Sequence, residues 1–247
     1  MNPRGTLLSV SILLSLVSAV SSAEPPPFPP VRLYAPDQDS TWKRYTEEDG
    51  ITIFLRKKEG SNIKEAIGKG VVDAPPCRVF QVITDSDRLV EFMPYLEARI
   101  LKRVTPKAEY VCEYLDFPWP IWDRLVNLRI AKVRNYHENQ CEYLVHWRKD
   151  ETHACTFAEV KEAYQDANPH AIVPPAIDGY WHLVPQDGEK KTLAYYYGFT
   201  DPGGTIPNWL NNAFVDSAIL KLFRAVRKRA SQSDLYLPCQ CPSSTRP

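Results

Sequence analysis

The stretch DPGGTIPNWL (residues 201–210) separates two unlike runs. Upstream lies TLAYYYGFT (192–200), rich in branched and aromatic residues, which reads as a strand. Downstream lies NWLNNAFVDSAILKLFRAVRKRA (208–230), which reads as a long helix running from about Pro207 to Ala230. On a helical wheel Leu210, Phe214, Ala218, Leu222 and Val226 fall on one broad arc, and Arg224 and Arg227 on another. Two glycines and two prolines crowd the junction. They suit either a plain chain reversal or a hinge beside something that enters and leaves.

A helix with one apolar arc needs a surface to cover, and the rest of the chain supplies strands. ITIFLRKK (51–58) and NIKEAIGKGVV (62–72) alternate like a hairpin. EARILKRV (97–104), EYVCEYL (109–115), DRLVNLRIAKV (123–133), CEYLVHWRK (141–149) and GYWHLVP (179–185) follow, with RNYHENQ (134–140) as a hairpin loop. DAPPCRVFQVI (73–83) reads as a helix opened by an acid and prolines, and residues 87–92 as a second short helix. Residues 42–48 read as a short helix or turn, and ANPHAIVPPAIDG (167–179) as irregular chain. Strand runs flanked by helices indicate an α+β fold with an antiparallel sheet, its bare face covered by the terminal helix.

The 247 residues are 44% hydrophobic, and 30 Lys+Arg balance 30 Asp+Glu. Zero net charge argues against nucleic acid as a partner, because phosphate neutralisation needs a basic face. Residues 1–23 carry one Arg, an apolar run and small residues at Ser21 and Ala23. That is the pattern of a signal peptide cut before Glu24, and its length disfavours an uncleaved anchor. The expected organisation is a signal peptide (1–23), a proline-rich spacer (24–38), one domain (39–231) and a loose tail (232–247). Export, to a periplasm or outside the cell, is the expected localisation. Cys77, Cys112, Cys141, Cys155, Cys239 and Cys241 permit disulfides there, without fixing the connectivity.

Four motifs carry a family resemblance: DPGGTIPNWL with its helix, DFPWPIWDR (116–124), GVVDAPPCRVFQVI (70–83) and EGSNIKEAIGKG (59–70). In this order they resemble the START (steroidogenic acute regulatory protein-related lipid transfer) domains, over residues 39–230. The resemblance implies a helix-grip fold, in which a curved antiparallel sheet wraps the long C-terminal helix around a hydrophobic tunnel. It implies a lipid carrier holding one ligand, a phospholipid, sterol or fatty acid, with transient membrane contact and a monomeric state. Gly203 and Gly204 become hinge residues, and Trp119 and Trp122 sit at the tunnel mouth or a membrane surface. Trp209, Leu210 and Phe214 are expected to line the tunnel, as are Tyr195, Tyr197 and Phe199, which share one strand face.

Many family members follow the loop arginine with an acid, whereas here Arg124 precedes Leu125. Two registers are therefore open. Anchoring on the prolines turns Val126, Leu128 and Ile130 inward; slipping by one turns in Leu125, Asn127 and Arg129. The proline-anchored register is preferred. Arg124 is a candidate headgroup contact, against a structural pairing with an acid such as Glu113 or Asp123.

No catalytic residue, metal or cofactor is expected. GxSxG, HExxH and phosphate-loop patterns do not occur. His137, Cys141, His146, His153 and Cys155 are the one metal-like group, yet Cys141 and His146 would face opposite sides of one strand. The competing readings are an enzyme on the same architecture, which needs a general acid or base in the tunnel, and a lipid sensor that binds without transfer.

Overall fold

The computed structural model describes residues 28, 30–136, 141–204 and 208–239, and the side chains of 208–216 and 233 lie outside that description. The chain divides after Pro30 into two units, and the architecture below is that of the second, Val31–Pro247.

Nine strands form one antiparallel sheet. They are β1 (Lys43–Glu48), β2 (Ile51–Lys57), β3 (Lys64–Val72), β4 (Leu96–Val104), β5 (Glu109–Leu115), β6 (Arg124–Arg134), β7 (Tyr143–Lys149), β8 (Ala176–Gln186) and β9 (Lys191–Asp201). Their order is β1-β2-β3-β9-β8-β7-β6-β5-β4. Helices α1 (Pro76–Thr84) and α3 (Asn208–Ala230) lie on the inner face, and α2 (Phe157–Ala163) packs on the opposite face beside β4 and β5. The curved sheet with its long C-terminal helix is the α+β helix-grip architecture expected from the sequence. Among the described residues no helix is long and apolar enough to cross a membrane.

Helix α3 approaches the sheet closely because β3 is paved with glycine. A Cβ on Gly68 would lie 2.6 Å from Ile219 and 2.8 Å from Phe223. Phe223 and Val226 are fully buried in that contact. The IGKG run is therefore a seat for the helix as well as a strand.

Four local readings are corrected. Residues 43–48 form edge strand β1, because pairing with β2 outweighs the weak apolar pattern of KRYTEE. Helix α2 was not foreseen, although Thr156 and Glu159 form a capping box at its start. Val31, Leu33 and Tyr34, assigned to the spacer, pack against Trp42 and Tyr197 on the outer face. The tail is docked as far as Cys239, which is bonded to Cys77, while Arg78 donates to the carbonyls of Gln232 and Tyr236.

Candidate functional site: an apolar cavity under the terminal helix

Between α1, α3 and the inner face lies a cavity of about 330 Å³. Its origin is a row of small residues. Ala66 on β3 pairs with Gly198 on β9, Gly198 with Gly179 on β8, and Gly179 with Trp147 on β7. Trp147 leans across the gap, so close that a Cβ on Gly179 would meet its ring at 2.5 Å. Tyr196 covers Gly198 in the same way, at 3.2 Å, so both rings lie low against the sheet and leave the space above them open. Trp147, Trp181 and Tyr196 line it from the sheet, and Ile219 and Leu222 from α3.

Strand β6 runs along the cavity. Val126, Leu128 and Ile130 line it, and Leu125 packs on the opposite face. The register is the proline-anchored one. Arg124, at one end of the strand, is 3% exposed and also lines the cavity. Its partners are backbone carbonyls rather than an acid: Nε donates to Pro202 at 2.7 Å, and Nη1 to Trp122 and Asp123. Burial lowers its pKa, with Asp123 opposing. Arg124 thus ties the proline loop to the DPGG turn. Glu113, one of its expected partners, pairs with Arg99 instead.

That Arg99–Glu113 pair belongs to a polar wall that sequence reading missed. Arg99, Glu113, Lys132, Ser86 and Thr84 all line the cavity. Glu109 accepts from Ser86 Oγ at 2.9 Å and pairs with Lys132, which also donates to the Thr84 carbonyl at 3.1 Å. Arg99 Nη2 lies 4.0 Å from Glu109. Burial pushes the Arg99 pKa down to about 10, against the pull of Glu109 and Asp87. Its Nε–H is buried without an acceptor among the described residues. The irregular register between Leu96 and Ala98 shifts the alternation, so that Leu96 and Arg99, three residues apart, both face the cavity, which a regular strand would not allow.

The tyrosine run is corrected. Tyr195, Tyr197 and Phe199 do share a face, but it is the outer one. Tyr197 stacks on Tyr180 and donates to Glu65 Oε2 at 2.8 Å. Tyr196, between them, is the residue that faces the cavity, and burial pushes its pKa up to about 12. The side chains of Trp209, Leu210 and Phe214 lie outside the described residues. Gly203 and Gly204 both adopt positive φ, 63° and 67°, a conformation that needs glycine. Trp119 is 91% exposed and Trp122 55%. Near them Phe117, Ile121, Pro174 and Pro202 line the loop end of the cavity.

Of the metal-like residues, His137 lies outside the described residues, and the two cysteines and His153 are otherwise engaged. Cys155 is bonded to Cys112, Cys141 is also in a disulfide, and His153 meets Asp150 at 3.1 Å. Among the described residues no group of three or more His, Cys, Asp or Glu could hold a metal ion.

A solved STAR-related lipid transfer protein from Xanthomonas axonopodis superposes with a TM-score of 0.63 at 23% identity, covering 78% of this chain and 100% of that one. Human StAR-related lipid transfer protein 5 gives 0.67 at 14% identity, covering 79% and 88%. These likenesses show the helix-grip fold. An uncharacterized protein of Pseudomonas aeruginosa is 26% identical over 192 residues, 77% of this chain and 87% of its own length. No family model matches the sequence.

Proposed function

We propose that this chain is a lipid carrier that holds one compact amphiphile in the cavity under α3. The observation that carries the reading is the cavity itself: apolar along β6, β7 and α3, with the Arg99–Glu113 and Lys132–Glu109 pairs on one wall. Val126, Leu128 and Tyr196 would hold the chain of the ligand, and Arg99 and Glu113 its head. Arg124 then acts on the loops rather than on the headgroup. The named solved structures with this fold are lipid transfer proteins, which supports the same reading.

Shielding an acyl chain is a sufficient task without covalent chemistry. Each methylene kept from water is worth about 0.8 kcal/mol, so a long chain leaves a membrane slowly unaided. Among the described residues the cavity, about 330 Å³, lies at the small end of ligand pockets. That favours a single acyl chain or one fused-ring skeleton over the two chains of a phospholipid. Trp119 and Trp122, exposed beside the loop end, suit brief contact with a bilayer surface, where an apolar ring with one donor is at home. The disulfides Cys77–Cys239 and Cys112–Cys155 suit an oxidising compartment and so support export.

Native mass spectrometry of the oxidised chain from Glu24, after exposure to a total lipid extract, tests this. The expected spectrum shows a one-to-one adduct of single-chain or fused-ring mass. A clean apo spectrum would refute the carrier reading. A two-chain phospholipid adduct would refute the size argument.

A further inference from the structure

Tyr95 sits in a backbone conformation that its side chain disfavours. Its φ is 66°, in the left-handed region where an aromatic residue is an outlier. Three contacts hold it there. Its carbonyl accepts from Asp116 N at 2.9 Å, and its ring meets Phe117 with centroids 5.1 Å apart. Its hydroxyl accepts from Lys221 Nζ on α3 at 2.6 Å, with the ammonium 4.9 Å from the ring centroid. Tyr95 therefore touches the proline loop and the terminal helix at once, and it lines the cavity itself.

The C-terminal end of α3 is fastened differently. Arg227 donates to the carbonyls of Val71 and Asp49 at 2.9 and 2.7 Å. Arg229 pairs with Glu91 at 2.6 Å. Beyond the helix, Cys77–Cys239 ties the chain covalently to α1. Against these, the Lys221–Tyr95 bond is a single contact at the surface, of a kind that breaks readily.

We infer that Tyr95 is the catch of the cavity. It holds α3 and the proline loop together over the ligand and lets Lys221 go when the ligand passes, while the fastened end of the helix stays fixed. The inference rests on the carrier reading above. It also gives the strain at Tyr95 a role, because a residue held in a disfavoured conformation narrows the gap between the closed and open states.

The test is release of nitrobenzoxadiazole-labelled stearate from the oxidised chain into excess phosphatidylcholine vesicles, followed by fluorescence. Tyr95→Phe keeps the ring and loses the hydroxyl, and Lys221→Met loses the ammonium. Each is expected to speed release about threefold, as befits one surface contact. The double variant should be no faster than either single one, since both remove the same bond. Tyr95→Gly removes the ring with its contacts to Phe117 and Lys221 and should speed release more than either single variant, while relief of the strain, which favours the closed state, keeps the gain below about tenfold. Stearate stoichiometry should not change in Lys221→Met, whose side chain is not among those lining the cavity. If Tyr95 is only structural, the variants will melt earlier and release at the wild-type rate, which overturns the catch. Should Tyr95→Gly fail to fold, the Tyr95→Phe and Lys221→Met pair still decides. No stearate uptake by the wild type would overturn the carrier reading and the catch with it; normal uptake with unchanged release rates would overturn the catch alone.

Discussion

On the outer face of the sheet Tyr34, Trp42, Tyr180 and Tyr197 pack ring against ring, with centroids 5.2 to 6.5 Å apart. On the inner face Trp147, Trp181 and Tyr196 pack just as closely, at 5.0 and 5.7 Å, yet stand around a cavity. The difference is not in the aromatics but in what lies between them. Outside, the segment at Val31–Trp42 fills the space, and the Arg56 guanidinium lies 4.5 Å from the Tyr34 ring centroid and 4.2 Å from that of Trp42. Inside, Gly198 and Gly179 let the Tyr196 and Trp147 rings lie against the sheet backbone. One face is a packed core because a chain segment covers its rings; the other is a container because its rings lie low on the glycines and border an open space.

The sharpest way to break this comparison is to damage the outer face and ask whether the container survives. Glu65 is 2% exposed and takes hydrogen bonds or ion pairs from Arg56 at 2.6 Å, Lys58 at 3.2 Å and Tyr197 at 2.8 Å. Glu65→Ala leaves the largely buried Arg56 with the half-exposed Asp39, at 3.3 Å, in place of its buried counter-charge, and leaves Tyr197 without its acceptor. It should cost about 3 kcal/mol of unfolding free energy in a urea titration. Labelled-stearate stoichiometry below the unfolding transition should not change. A variant that unfolds no earlier would show that the outer cluster is not a core.

A matched pair of insertions comes next. Leu144 lies in the outer cluster, 1% exposed, and Leu128 lines the cavity. Leu144→Trp overfills a packed site and should cost about 1–3 kcal/mol while sparing the lipid adduct. Leu128→Trp fills empty space, so it should change stability by less than about 1 kcal/mol and abolish the adduct. If the two variants lose stability equally and both keep the adduct, the faces do not differ as described.

Much of this division was legible in the sequence, and the illegible parts have definite causes. Strand β6 could be read because Val126, Leu128 and Ile130 alternate with polar Asn127 and Arg129, and the prolines fix the phase. In β9 three consecutive tyrosines offer no alternation. There the pairing of Gly198 with Ala66 and Gly179 decides which face is inner, and no single strand contains that information. Arg99 was hidden by the irregular register of β4. The docking of the tail depended on Cys239 choosing Cys77, which spacing cannot give. The long terminal helix, by contrast, was plain from its arc, and its junction from two glycines held at positive φ.

The smallest effect concerns pH, and it again separates the faces. His146 on β7 points outward between Tyr180 and Ala131, 7% exposed. Burial first, then Arg148 and Arg129, bring its pKa from 6.5 down to about 4. Between those values the unfolded chain binds a proton that the folded chain refuses. Stability is therefore fully present above the unfolded value and falls as the pH drops through the window, by about 1 kcal/mol from pH 6.5 to 5.5. Asp150 and Glu159, whose pKa values are lowered, add their losses only further down, at and below the ordinary carboxylate range. Urea titrations at pH 7.5, 6.5 and 5.5 should show this slope in the wild type and a flatter one in His146→Gln. A slope that persists in the variant would assign the acid sensitivity to another group. Among the described residues no histidine lines the cavity. Mild acid should therefore loosen the outer face first, and stearate should leave only as the fold itself is lost, not ahead of it.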